Sequence, residues 1–258
     1  MKFNIPVKEN KKLKKIVAMI EKDRKIEQVL RCANITAVDR LGFSDHGPVH
    51  AKIVSNIALK LLRMLVKHGV KPSISVNYAE MDNHDAEIVV VLAAFLHDIG
   101  MIIHREHHDV YGIVVAQPIL EKLLKNYKED KKVIMMAEIF HAMTFHDSNI
   151  KPLTIEGGIV RIADGLDMAE DRARIPFKTG GNNIHAISAV AIQKIDIVEG
   201  TGSQKPIQIR ISMTNSAGIY QVDELLKNKI KLSRLAEYVH VSAEIIGPEK
   251  KIVKKIEF

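Results

Sequence analysis

The chain has 258 residues, 47% of them hydrophobic, a formal charge of +7 and a single cysteine, Cys32. That length holds one large domain, or a medium and a small one, each with a real core, and one cysteine excludes an intramolecular disulfide. No apolar run reaches the roughly 18 residues of a membrane span and the N-terminus lacks a secretory pattern, so the expectation is a soluble, cytoplasmic protein without a membrane partner. Residues 1–40 carry 11 basic and 5 acidic side chains, residues 226–258 carry 8 and 4, and the stretch between holds 19 and 22. The excess therefore belongs to the ends and reads as solvated lysine-rich helix faces, not as a nucleic-acid surface.

In chain order, residues 8–31 alternate charged and aliphatic positions with helical spacing (Leu13, Ile16, Val17, Ile20, then Ile26, Val29, Leu30), which predicts one or two amphipathic helices. The polar turn LGFSDHGPVH contains His46 and ends at Pro48, a favoured first helical residue. A helix over about 48–69 follows, with Val54, Ile57, Ala58, Leu61, Leu62 and Leu65 on one face. His50 lies in its first turn and is turned inward by Ile53, Val54 and Ile57. Residues 71–84 read as an irregular connection. Then comes IVVVLAAFLHDIGM, residues 88–101, a buried helix ending in His97 and Asp98. Burying an imidazole beside a carboxylate costs several kcal/mol unless each finds a partner, and a cation satisfies both.

His104, Arg105, Glu106, His107, His108 and Asp109 crowd the entrance of another helix, which runs to about Tyr127. A helix over 129–145 ends in IFHAMTFHDS. Its His141 and His146 are about 140° apart on an ideal helix and can address one centre only if the helix loosens between them. GGIVRIADGLD then leads a buried helix to Asp164, with Asp167 close behind and Arg172 and Arg174 where the helix should end. Beyond Pro176, FKTGGNNIH reads as a linker, with a domain boundary near residue 180. Strands are predicted over 189–198, 206–213, 238–246 and 251–258, with a hairpin at EGTGSQK and a helix from Asn215 or Ser216 to about Lys231.

Ten of the twelve histidines fall between positions 46 and 146, several of them on otherwise apolar helices. A lone histidine there is usually a satisfied core residue, but a set with two aspartates is a candidate ligand group. Imidazole and carboxylate without thiolate favour Mn, Fe, Co, Ni or Zn, and Mg remains compatible.

The order His50, His97-Asp98, Asp164, with the local sequences HAKIV, LAAFLHDIGM and IVRIADGLD, resembles the HD superfamily of metal-dependent phosphohydrolases. The resemblance covers about residues 40–175. It implies a mainly α fold, an HD-type helical bundle over residues 1–180, followed by a small α+β domain over 181–258 that it does not cover. Dimerisation by edge-strand pairing, or regulation, is the expected role of that second part. The resemblance also implies that His50, His97, Asp98 and Asp164 bind one divalent ion, and that His108 with His141 or His146 binds a second with Asp98 shared; His104 or His107 could replace His108. His97 and Asp98 are then the catalytic doublet, and a water activated by the metals attacks the phosphorus of a small phosphorylated substrate, a nucleotide by expectation. Lys52, Arg105, Arg161, Arg172 and Arg174 are the candidates to hold phosphate oxygens, each with a surface or ion-paired alternative. Glu106, Asp109 and Asp167 could orient ligating imidazoles. No GYP signature is present, so the cyclic-dinucleotide phosphodiesterase branch is not supported. A diiron oxygenase, like the inositol oxygenases of this fold, and a non-catalytic nucleotide-binding protein are the alternatives.

Overall fold

Side-chain caps set the helix starts. Asn10 Oδ1 accepts from Leu13 N at 2.9 Å and opens α1 (Lys11–Lys22); Asp23 then accepts from Lys25 N and Ile26 N and opens α2 (Arg24–Asn34). The predicted amphipathic stretch is thus two helices, burying Leu13, Ile16, Val17, Ile20, Ile26 and Leu30. A wider helical turn over Ile35–Arg40 carries α2 onward. A computed structural model describes residues 1–7, 10–147, 149–168, 188–247 and 255–258. The expected linker and the boundary near residue 180 lie outside the described residues.

Pro48 starts α3 (Pro48–Lys67), which stops two residues short of Gly69, a glycine at φ 82°. The connection expected to be irregular contains one helical turn, α4 (Ser73–Asn77). Glu156 explains it: its carboxylate accepts from Ser73 N at 3.1 Å and from Ile74 N at 3.0 Å, satisfying donors that open a helix. The central helix α5 (Asn83–Leu96) begins earlier than its apolar run, at an Asp82–Asp85 capping box, and every residue from Ile88 to Leu96 is buried. It ends at Leu96, not Met101; Ile99–Ile102 form a tighter turn. The next helices are α6 (His108–Leu123), α7 (Glu129–Thr144) and α8 (Ile155–Leu166). Helices α3, α7 and α8 pack around α5.

The C-terminal part is a four-stranded sheet, β1 (Ile192–Glu199), β2 (Ile207–Met213), β3 (Val239–Ile245) and β4 (Lys255–Glu257), in that spatial order. β1–β2 is the predicted antiparallel hairpin, β2–β3 is parallel and β3–β4 antiparallel. Parallel pairing needs a crossover, and the segment between β2 and β3 supplies it. That segment is not one helix: a turn over Ser216–Gly218, a wide helical stretch Gln221–Leu226 and α9 (Lys227–Lys231) succeed one another. It packs against α8, and its Val222, Leu226 and Ile230 join the same buried core as the helical bundle. The fold is mainly α with a small α+β element, as the resemblance and the strand pattern implied.

Candidate metal centre

His97 and Asp98 sit where the most apolar helix among the described residues ends, so their polar atoms face an interior and not solvent. His97 is 0% exposed and Asp98 6%. Gly100 makes room for the next element: a Cβ there would collide with the His108 carbonyl and the Gly112 amide. The first turn of α6 therefore lies directly on the doublet, and His108 follows from that close approach.

Around Asp98 the imidazoles fall into two groups, one at each carboxylate oxygen. Oδ2 lies 3.3 Å from His50 Nε2 and 3.1 Å from His97 Nε2, and those two nitrogens are 3.1 Å apart. Asp164 Oδ1 joins this group at 3.2 Å from His50 Nε2 and 3.5 Å from His97 Nε2. Oδ1 of Asp98 lies 3.3 Å from His108 Nε2 and 3.6 Å from His146 Nε2, again with the two nitrogens 3.1 Å apart.

The opposite ring nitrogens fix the tautomers. His97 Nδ1 donates to the Ala94 carbonyl at 2.7 Å, His108 Nδ1 to Arg105 O at 2.8 Å and His146 Nδ1 to Met143 O at 2.6 Å. A carbonyl only accepts, so Nδ1 carries the hydrogen and, in the neutral ring, Nε2 presents a lone pair. His50 Nδ1 is 2.6 Å from Asp167 Oδ2, the same arrangement with a carboxylate. Lone pairs converging at 3.1–3.6 Å repel unless a cation or a proton stands among them. Asp98 Oδ2, buried, makes no hydrogen bond among the described residues. The donor set thus fits one or two divalent ions: His50, His97 and Asp98 could hold one, and Asp98, His108 and His146 another.

Electrostatics point the same way. Burial pulls the His97 imidazole down, but the Asp98 and Asp164 carboxylates outweigh it and raise it to about 9. Asp98 is held well below the ordinary carboxylate range, burial notwithstanding, by His97 and His46, and Asp164 likewise by Lys229 and His50. Burial lowers His146. A buried site that holds two carboxylates ionised is a site that attracts cations.

The other expected residues lie apart from this cluster. His141 Nε2 accepts from Leu153 N at 2.9 Å, and α7 ends at Thr144, which leaves His146 outside the helix and free to turn inward. His104 and His107 are exposed, and His104 Nδ1 accepts from Glu106 N. The Arg161 guanidinium is buried and donates to the carbonyls of Phe145 and Ile150, so it braces the loop that carries His146. Lys52 is two residues beyond His50, roughly 200° around α3. Arg105 stacks over Phe43, 4.3 Å from the ring centroid. Arg172 and Arg174 lie outside the described residues.

Lys229, on α9, had no place in the sequence reading. Its Nζ lies 2.7 Å from Asp164 Oδ2, 3.2 Å from the His146 carbonyl and 3.4 Å from Asp147. Gly165 leaves space for its stem, since a Cβ there would lie 2.9 Å from Lys229 Cδ.

Facing imidazoles divided across one carboxylate, on helices packed around a buried His-Asp doublet, are the mark of an HD-type protein, and the HD domain family model matches residues 50–169. The chain belongs to the HD family, whose members are generally metal-dependent hydrolases. Over 236 residues it is 42% identical to Uncharacterized protein MJ1020 of Methanocaldococcus jannaschii, covering 91% of this chain and 90% of that one. It is 30% identical over 166 residues to Ribonuclease Y of Syntrophomonas wolfei and 27% over 163 residues to Ribonuclease Y of Symbiobacterium thermophilum. Those two matches take in 62% of this chain but only 30% and 29% of the relatives' own length. No solved structure matches the chain significantly. Among the described residues no helix is long and apolar enough to cross a membrane.

Proposed function

We propose that the chain is a metal-dependent phosphohydrolase that cleaves a phosphomonoester or phosphodiester of a nucleotide. The observation that carries this reading is the division of Asp98, with one oxygen in each group of imidazoles. His50, His97, Asp98 and Asp164 hold one ion in this account, and Asp98, His108 and His146 the other. Divalent ions bound there supply positive charge for the phosphoryl oxygens and make water acidic enough to attack at neutral pH.

The chain's own residues do the positioning. Asp167 and three backbone carbonyls hold the four rings with Nε2 inward, so little reorganisation is needed when a ligand arrives. Burial of the doublet strengthens each charge interaction with a phosphoryl group. A second reading, an RNA phosphodiester as substrate, is favoured by the similarity to proteins named Ribonuclease Y over the helical part of the chain.

Hydrolysis of p-nitrophenyl phosphate, bis-p-nitrophenyl phosphate and a short oligoribonucleotide, after loading with Mn, Fe, Co, Ni, Zn or Mg, tests both readings. Turnover of at least one substrate, abolished in Asp98→Ala and strongly reduced in His108→Ala, is the expected result. Absence of turnover on every ester with every metal overturns it.

A further inference from the structure

Beside the candidate centre, on its His108 side, lies a cleft whose outer groups the hydrolysis as proposed does not use. Its volume is about 480 Å³, within the range of small-ligand sites. His108 and Asp147 form part of its lining, and so do Phe43, Arg105, His104 and His107. Phe43 is 37% exposed, and the Arg105 guanidinium rests on its ring. An exposed phenyl ring with a guanidinium plane against it is a stacking surface for a flat, polarisable group.

The rest of the lining suits the same guest. His104 and His107 add two flat rings to the lining, and Glu106 and Asp109 add carboxylates, a group able to accept from amino groups. Leu41 supplies an aliphatic contact, too little for a lipid tail. The segment that builds this wall also builds the centre. The Arg105 carbonyl accepts from His108 Nδ1 while its side chain goes to Phe43. Between them His107 takes φ 60°, a left-handed conformation that a non-glycine residue seldom adopts. By contrast, the larger cleft between α3 and β1 has Arg63 and Lys67 already paired with Glu87 and Glu199.

We propose that the Phe43–Arg105 cleft is a stacking subsite for the nucleobase adjoining the phosphate, an inference that rests on the phosphoryl group being held at the Asp98 centre. The substrate is then selected by its base, and a phosphate ester without one is handled poorly.

Calorimetric binding of adenosine 5′-monophosphate and ribose 5-phosphate to the metal-loaded protein tests this without requiring turnover. The nucleotide should bind roughly ten-fold tighter or more, the range of one base–aromatic stack. Phe43→Leu, a partly exposed position where folding is not at stake, should erase most of that preference while ribose 5-phosphate binds as before. Arg105→Gln should reduce it. Equal binding of the two ligands by the wild type, failure of both to bind, or an unchanged preference in Phe43→Leu overturns the subsite. A Phe43-dependent preference without hydrolysis of any ester retains the subsite and sinks the hydrolase; hydrolysis of simple esters with no preference does the reverse.

Discussion

Lys229 Nζ lies 2.7 Å from Asp164 Oδ2, while the other oxygen of the same carboxylate faces the imidazoles of His50 and His97. The two residues are 65 positions apart and belong to different parts of the chain, one to the helical bundle and one to the crossover of the sheet. One oxygen is thus held by a cation from the C-terminal part, and the other is left directed at the centre. Burial opposes the charge on Lys229, but Asp164 and Asp147 outweigh it and raise its pKa, so it stays a cation.

Lys229→Met should leave Asp164 unsupported and lower metal affinity at the His50 side by about 10- to 100-fold, the usual cost of losing a residue that orients a ligand. Lys229→Arg should restore part of it. Metal titration of the chelated protein measures both, and equal affinity in the wild type and Lys229→Met contradicts the role.

Gly100→Ala should be among the most damaging single-methyl changes in the chain. The added Cβ meets the backbone of His108 and Gly112, which cannot yield as a flexible side chain would. A loss of about 1–3 kcal/mol, or more, is expected in denaturant unfolding, together with displacement of His108 from Asp98.

Arg161→Met removes the buried donor that serves the carbonyls of Phe145 and Ile150. The half-buried Phe145 carbonyl, which accepts from both Nε and Nη2 of Arg161, loses these donors, and a poorly solvated polar group left unsatisfied costs about 1–3 kcal/mol. Lower thermal stability with weakened metal binding at the His146 side is the expected outcome. A variant as stable as wild type would show that the loop holds itself.

pH should act on the chelated protein in a defined direction. His97 is raised from 6.5 to about 9, so its contribution to stability is complete below its ordinary value and is lost as pH climbs through about 9. Asp98 and Asp164 are lowered, so theirs is present above the ordinary carboxylate range and is lost as pH falls through their depressed values. These three groups make the chelated protein weaken towards pH 9 and again as pH falls below the ordinary carboxylate range, while His146, lowered by burial, opposes them below its ordinary value of 6.5. With metal in place of protons the alkaline loss should shrink. Thermal melts across this range, with and without chelator, separate the two cases.

The sequence carried the parts of this architecture that depend on local chemistry. Periodicity marked most of the helices, alternation marked the strands, and the apolar run before His97 marked the doublet. What it lacked is set by distant contacts. The choice between His141 and His146 turns on where α7 ends, and IFHAMTFHDS contains no glycine or proline to mark it. The end at Thr144 is braced by Arg161, a residue of another helix. α4 depends on Glu156, 83 positions from Ser73. Lys229 looks like any lysine of a basic amphipathic helix until the fold brings it to Asp164, and Phe43 is one aromatic in a polar turn until the fold sets the Arg105 guanidinium against its ring.

The most direct measurement is metal content per chain, by elemental analysis of untagged protein, in the wild type and in His146→Ala and His141→Ala. Two ions per chain in the wild type and in His141→Ala, with one lost in His146→Ala, is the result this account predicts. Wild-type protein that takes up no divalent ion after reconstitution, or loss of an ion in His141→Ala with both retained in His146→Ala, would contradict it.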